Sequence, residues 1–125
     1  MSGLKVTVLA CNYTNYASQK DFELVKDVEI KVKTFACGSR IEVVDILRAF
    51  RQGAQGVLVA VCAKQSCHNK KGNLFGYKKA LLANRLIAEL GLGQDLVKPA
   101  YVKRQDTGDF IRVLKEFCAN LQNRE

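Results

Sequence analysis

The chain has 125 residues, 48% of them hydrophobic, one proline, no tryptophan and a formal net charge of +8. That length predicts one domain over residues 1–125, large enough to bury a single core. The composition excludes a low-complexity or broadly disordered protein. No apolar run approaches the roughly 18 residues of a membrane span, and residues 1–10 lack the apolar centre of a signal peptide, so a soluble, cytoplasmic protein is expected.

In chain order, Leu4 to Ala10 alternates and is rich in β-branched residues, which predicts a first strand stopping at Cys11. The polar stretch after it reads as a turn, with a weak helix around Tyr16 to Val25. Val28 to Phe35 has period two, with Val28, Ile30 and Val32 on one face and Glu29, Lys31 and Lys33 on the other. A strand with one charged face belongs at a sheet edge. It runs into Cys37 and Gly38.

Ile41 to Gln52 follows as a helix, with Val43, Ile46, Leu47 and Phe50 as its apolar stripe and Gly53 at its end. Val57 to Val61 is continuously apolar, the pattern of a central parallel strand covered on both faces. Cys62 closes it. Asn73 is placed to cap a helix running to about Leu90, ended by Gly91 and Gly93. Leu96 to Val102 reads as a fourth strand, and Pro99 within it demotes it to an edge. The last helix starts at Thr107 or Asp109 and buries Phe110, Val113, Leu114, Phe117, Cys118 and Leu121.

This alternation of strands and helices predicts an α/β fold: a small flavodoxin-like three-layer sandwich, with a four-stranded parallel sheet of order 2-1-3-4 and helices on both faces.

The five cysteines then fall into a pattern. Structural disulfides are not expected in a reducing compartment, where cysteine clusters more often bind metal or carry redox chemistry. Cys11 follows strand one, Cys37 follows strand two and Cys62 closes strand three. Parallel strands share one carboxyl edge, and order 2-1-3 makes these three neighbours at a spacing of about 4.8 Å. Cys67, in the loop after strand three, can reach the same place. Any one cysteine alone reads more readily as a small buried hydrophobe than as a ligand, and Cys118 is assigned that role. Four at one edge, where open α/β sheets bind ligands, point to a shared site.

Four thiolates suit zinc or an iron–sulfur cluster. Cys62-x4-Cys67 is the only close pair, and ligands scattered over separate strand ends favour a 2Fe-2S core over paired zinc knuckles. His68 can ligate iron, hydrogen-bond a cluster sulfur, or simply hold loop backbone. Lys64, Lys70 and Lys71 can offset thiolate charge, dock an acidic partner, or remain solvated.

The run from Gly56 to Asn73 (GVLVAVCAKQSCHNKKGN), together with FACGSR upstream, CNYT near the start and AFRQGAQG before the third strand, resembles the methyl-viologen-reducing hydrogenase delta-subunit (MvhD) family over nearly the whole chain. Its most specific part is C-x4-C-H followed by Gly72 and Asn73. The resemblance implies an iron–sulfur electron-transfer subunit with one 2Fe-2S cluster, whose matching positions are Cys11, Cys37, Cys62 and Cys67. It implies partners as well: the FAD-carrying flavoprotein subunit of a heterodisulfide-reductase-like complex, and a hydrogenase, formate dehydrogenase or NADH-oxidising module as electron donor. Thr14 stands where the family pattern carries a second N-terminal cysteine, and FACGSR replaces the more usual proline–cysteine start.

Other readings follow from the same residues. One is a docking or adaptor subunit of the same complex without a cluster. Another is a dithiol redox switch using Cys62 and Cys67, with lysines and His68 favouring the thiolate. A basic binding module for RNA or protein is the third, but no aromatic-rich RNA-binding strand is present and the basic residues are dispersed, so nucleic acid is not an expected partner. No paired carboxylate site, Ser/His/Asp array or glycine-rich phosphate loop indicates substrate chemistry.

Overall fold

The structure, a computed structural model, describes residues 4–11, 28–35, 40–62, 72–102 and 107–122. The predicted helix around Tyr16 to Val25 lies outside them. The described strands are β1 (Leu4–Cys11), β2 (Val28–Phe35), β3 (Gly56–Cys62) and β4 (Val97–Val102), and the described helices are α1 (Val43–Arg51), α2 (Gly72–Glu89) and α3 (Thr107–Gln122).

The strands form one sheet in the order β2-β1-β3-β4, and all three pairings are parallel. This is the predicted flavodoxin-like order. Val57, Val59 and Val61 of β3 face one core layer while Leu58 and Ala60 face the other, and all five are buried. A strand covered on both faces has no polar alternation to show, which is why β3 reads as an unbroken apolar run. β2 is the opposite case. Val28, Ile30 and Val32 pack against a core layer, while Glu29, Lys31 and Lys33 stay exposed. Pro99 lies in β4, the other edge strand, where a missing N–H leaves the outer ladder unharmed.

The two core layers define the sandwich. α3 buries Phe110, Leu114, Phe117, Cys118 and Leu121 against one face of the sheet. α1, through Ile46 and Ala49, and α2, through Ala80, Ala83 and Ile87, cover the other. The end of α3 lies close on the start of β3. A Cβ at Gly56 would collide with Leu121 and press on the Phe117 ring, so a larger residue there requires the end of α3 to give way.

Helix ends follow local chemistry. The Glu42 N–H donates to the Asp45 carboxylate at 2.9 Å and starts α1. Gly53, with φ of 108°, carries its exit. α2 turns out through Gly91 and Gly93, both with positive φ. It begins at Gly72, so Asn73 sits inside the first turn and not at the cap; a glycine start offers no side chain to mark that boundary. Asn84 of α2 accepts a hydrogen bond from the Val97 N–H at 3.2 Å and ties the helix to the start of β4. No helix among the described residues is long and apolar enough to cross a membrane.

Candidate functional site: the carboxyl edge of the sheet

β1 ends at Cys11 and β3 ends at Cys62. The two strands are neighbours, in parallel register from Val6↔Gly56 to Ala10↔Ala60. The backbone therefore brings Cys11 and Cys62 to the same edge of the sheet on adjacent strands. On the outer side Cys11 pairs with Phe35, the last residue of β2, and Cys62 pairs with Val102 of β4. The sheet below these ends is rigid. Ala10, Ala60 and Val61 are each fully buried.

Cys37 and Cys67 lie outside the described residues, as do Thr14, Lys64, His68, Lys70 and Lys71. Cys37 is tethered two residues beyond Phe35, and Cys67 lies five residues after Cys62 and five before Gly72. Among the described residues, no group of three or more His, Cys, Asp or Glu side chains is placed to hold a metal ion. The remaining cysteine, Cys118, is a buried free thiol in the core beneath α3. Burial pushes that thiol up to about 11, so it stays protonated and inert at neutral pH.

Several described side chains furnish the neighbourhood of this edge. Tyr77 of α2 stacks on Tyr101 of β4, with centroids 4.6 Å apart and planes 9° from parallel. Tyr101 pairs with Val61, next to Cys62, so the stacked rings flank the end of β3. Burial raises the Tyr101 phenol above its ordinary value, and Tyr77 adds to the effect. At the end of β2, the Lys33 ammonium lies over the Phe35 ring, 5.4 Å from its centroid.

Helix direction adds a second feature. α2 leaves the carboxyl end of β3 and returns to the amino end of β4, so its N-terminus points to the cysteine edge. No acidic side chain occupies its first turn. The positive end of the helix is left to favour negative charge at that edge. Sequence reading misses the tyrosine pair, because nothing in either local pattern links position 77 of a helix to position 101 of a strand.

Another concave feature lies elsewhere. A cavity of about 380 Å³, lined by Leu4, Phe50, Gln55, Leu92, Leu96 and Leu121 among others, sits at the amino edge of the sheet, opposite the cysteines.

Fold and edge together define a small parallel α/β protein that gathers cysteines at the ends of adjacent strands. The chain belongs to the family described as methyl-viologen-reducing hydrogenase, delta subunit, whose model matches residues 6–123. It is 28% identical over 120 residues to an iron-sulfur subunit of the F420-non-reducing hydrogenase of Archaeoglobus profundus, a match covering 94% of this chain and 88% of that protein. It is 26% identical over 93 residues to the vhu iron-sulfur subunit of the F420-non-reducing hydrogenase of Methanocaldococcus jannaschii, covering 74% and 69% of the two chains. A third relative is much longer. This subunit of the ferredoxin:CoB-CoM heterodisulfide reductase of Methanosarcina mazei matches over 94% of this chain at 28% identity, but the match takes up 15% of its own length.

Proposed function

We propose that this chain is an electron-transfer subunit carrying one 2Fe-2S cluster on Cys11, Cys37, Cys62 and Cys67. The observation that carries the reading is the parallel register that ends β1 at Cys11 and β3 at Cys62, one residue step apart on adjacent strands at one edge. The names of its relatives support it, since two of them are iron-sulfur subunits of hydrogenases.

The donor set fits the group. Thiolate sulfur is the usual ligand for iron–sulfur clusters, and strand spacing of about 4.8 Å puts adjacent strand ends within reach of one small cluster. Cys37 and Cys67 are tethered by short segments to Phe35, which pairs with Cys11, and to Cys62 itself. The cluster, when bound, supplies a one-electron carrier. The protein's own part is to hold the thiolates and set their surroundings. β1 and β3 carry two of them directly after Ala10 and Val61, which are fully buried. The N-terminus of α2 and the nearby Lys33 favour the negative charge the four thiolates bring.

The proposed partners are the FAD-carrying subunit of a heterodisulfide-reductase-like complex and an electron-donating hydrogenase, formate dehydrogenase or NADH-oxidising module. The Methanosarcina mazei relative supports the first, because there the matching segment is part of a heterodisulfide reductase polypeptide itself.

The test is anaerobic. The protein is purified with its native partners or reconstituted, iron and sulfide are counted per chain, and EPR is recorded after dithionite reduction. About two iron and two sulfide with a spin-one-half signal are expected. Cys11→Ser and Cys62→Ser lose the iron, while Cys118→Ser keeps it. Iron-free protein with all five thiols titrating rejects the carrier role. A reversible Cys62–Cys67 disulfide in iron-free protein identifies a dithiol switch instead.

A further inference from the structure

The outer face of α2 is built unlike any other described surface of the molecule. Phe75, Leu81 and Leu82 are each about half exposed, at 49%, 50% and 48%. Phe75 and Leu82 are seven residues apart, so they fall within about 20° of each other around the helix. Lys78 and Arg85 form a second row with the same spacing, and both are exposed. Leu81 flanks that row, three residues from Lys78 and four from Arg85. The result is a row of cations with apolar side chains on both sides of it, Phe75 and Leu82 on one and Leu81 on the other.

None of these side chains belongs to the two core layers of the described residues. The inward contacts of α2 are made by Ala80, Ala83 and Ile87. Neither Lys78 nor Arg85 makes a salt bridge among the described residues, whereas the adjacent Lys79 is bonded to Glu42 at 3.0 Å. Glu89, in the last turn, is the only acidic residue of the helix. Large apolar side chains left in solvent mark a contact surface, and the cations between them, without a salt bridge among the described residues, state the charge of what covers them.

We propose that the outer face of α2 docks a protein partner that presents a groove with carboxylates along its middle and apolar walls, and that this is the partner exchanging electrons at the cysteine edge. The second clause rests on the function proposed above; the first does not. The location supports both. α2 starts at the cysteine edge, and Phe75 lies in its opening turns, so a partner seated on this face is held beside the ends of β1 and β3. A bilayer is the weaker occupant, because three apolar side chains and two cations make a small anchor, while a groove can surround them.

The experiment uses the full chain isolated anaerobically with its native partners. A carbodiimide joins a lysine amine to a carboxylate in direct contact, with no spacer. Mass spectrometry is expected to find Lys78 amide-linked to an Asp or Glu of a different protein. The variant Phe75→Ser with Leu82→Ser is expected to lower the co-purified partner by about tenfold or more, with its melting temperature unchanged. The docking proposal is overturned if Lys78 acetylates as readily in the assembled complex as in the isolated chain, or if it couples only to a second copy of this chain. It is also overturned if Phe75 and Leu82 instead govern sedimentation of the isolated chain with phosphatidylglycerol vesicles. Iron counted on the same sample separates the two claims. Iron present with Lys78 free removes the docking surface alone, and Lys78 coupled in iron-free protein leaves the docking surface but removes electron exchange.

Discussion

α2 and α3 are the two long helices, 18 and 16 residues, packed on opposite faces of one sheet. α3 follows the rule for a surface helix. Its large apolar residues are buried, and its outer charges answer one another: Arg112 bonds Asp109 at 2.7 Å and reaches Glu116 at 3.5 Å. α2 reverses the pattern. Small residues, Gly76, Ala80 and Ala83, occupy buried positions, while Phe75, Leu81 and Leu82 face outward beside cations that have no salt bridge among the described residues. The difference teaches that α3 is completed by the sheet, whereas α2 carries more apolar surface than the sheet can use. All the large exposed apolar side chains among the described residues lie on α1, α2 or the turn after α2, and none on α3.

The sharpest test of that contrast is truncation of the inner face of α3. Phe110→Ala removes a fully buried ring and is expected to cost about 3–5 kcal/mol in chemical denaturation. The next largest effect is a pH dependence that Cys118 gives to the α3 side. The Cys118 thiol is held up to about 11 from an ordinary 9.0. Above pH 9 the unfolded chain releases this proton and the folded one keeps it, so stability falls as pH rises. The loss reaches about 2 kcal/mol by pH 11. Denaturation series across that window should show a steeper slope in the wild type than in Cys118→Ala, where the raised Tyr101 phenol still contributes. The smallest effect belongs to the outer face of α2. Phe75→Ser with Leu82→Ser should leave folding stability within about 0.5 kcal/mol of the parent. A loss approaching that of Phe110→Ala would erase the contrast, because these side chains would then be part of the core.

Much of this architecture is legible in the sequence. The period of β2, the unbroken apolar run of β3, the proline in β4 and the stripe of α3 each report how many faces of an element are covered, and coverage is what sets periodicity. The strand order follows from the alternation of elements, and with it the meeting of Cys11 and Cys62 at one edge. α2 is less legible. Its apolar residues occur all round the helix, so the pattern LFGYKKALLANRLIA reports a helix without saying which side faces the sheet. The tyrosine stack is hidden for a related reason: tertiary packing of α2 on β4 alone joins Tyr77 to Tyr101. Glu42 reads as part of the helix, because a glutamate preceding the helix, with its N–H bonded to Asp45, is not among the favoured cap residues.

The contact between Gly56 and the end of α3 bears on how the protein is made. β1 and β3 emerge from the ribosome early, yet Phe117 and Leu121, which close over the start of β3, follow only after α2 and β4. Until then the Leu58 and Ala60 side of the most apolar strand has no helical cover from α3. The nascent chain therefore carries its stickiest surface open on one side while α2 and β4 are being synthesised, and that interval is when aggregation competes hardest with folding.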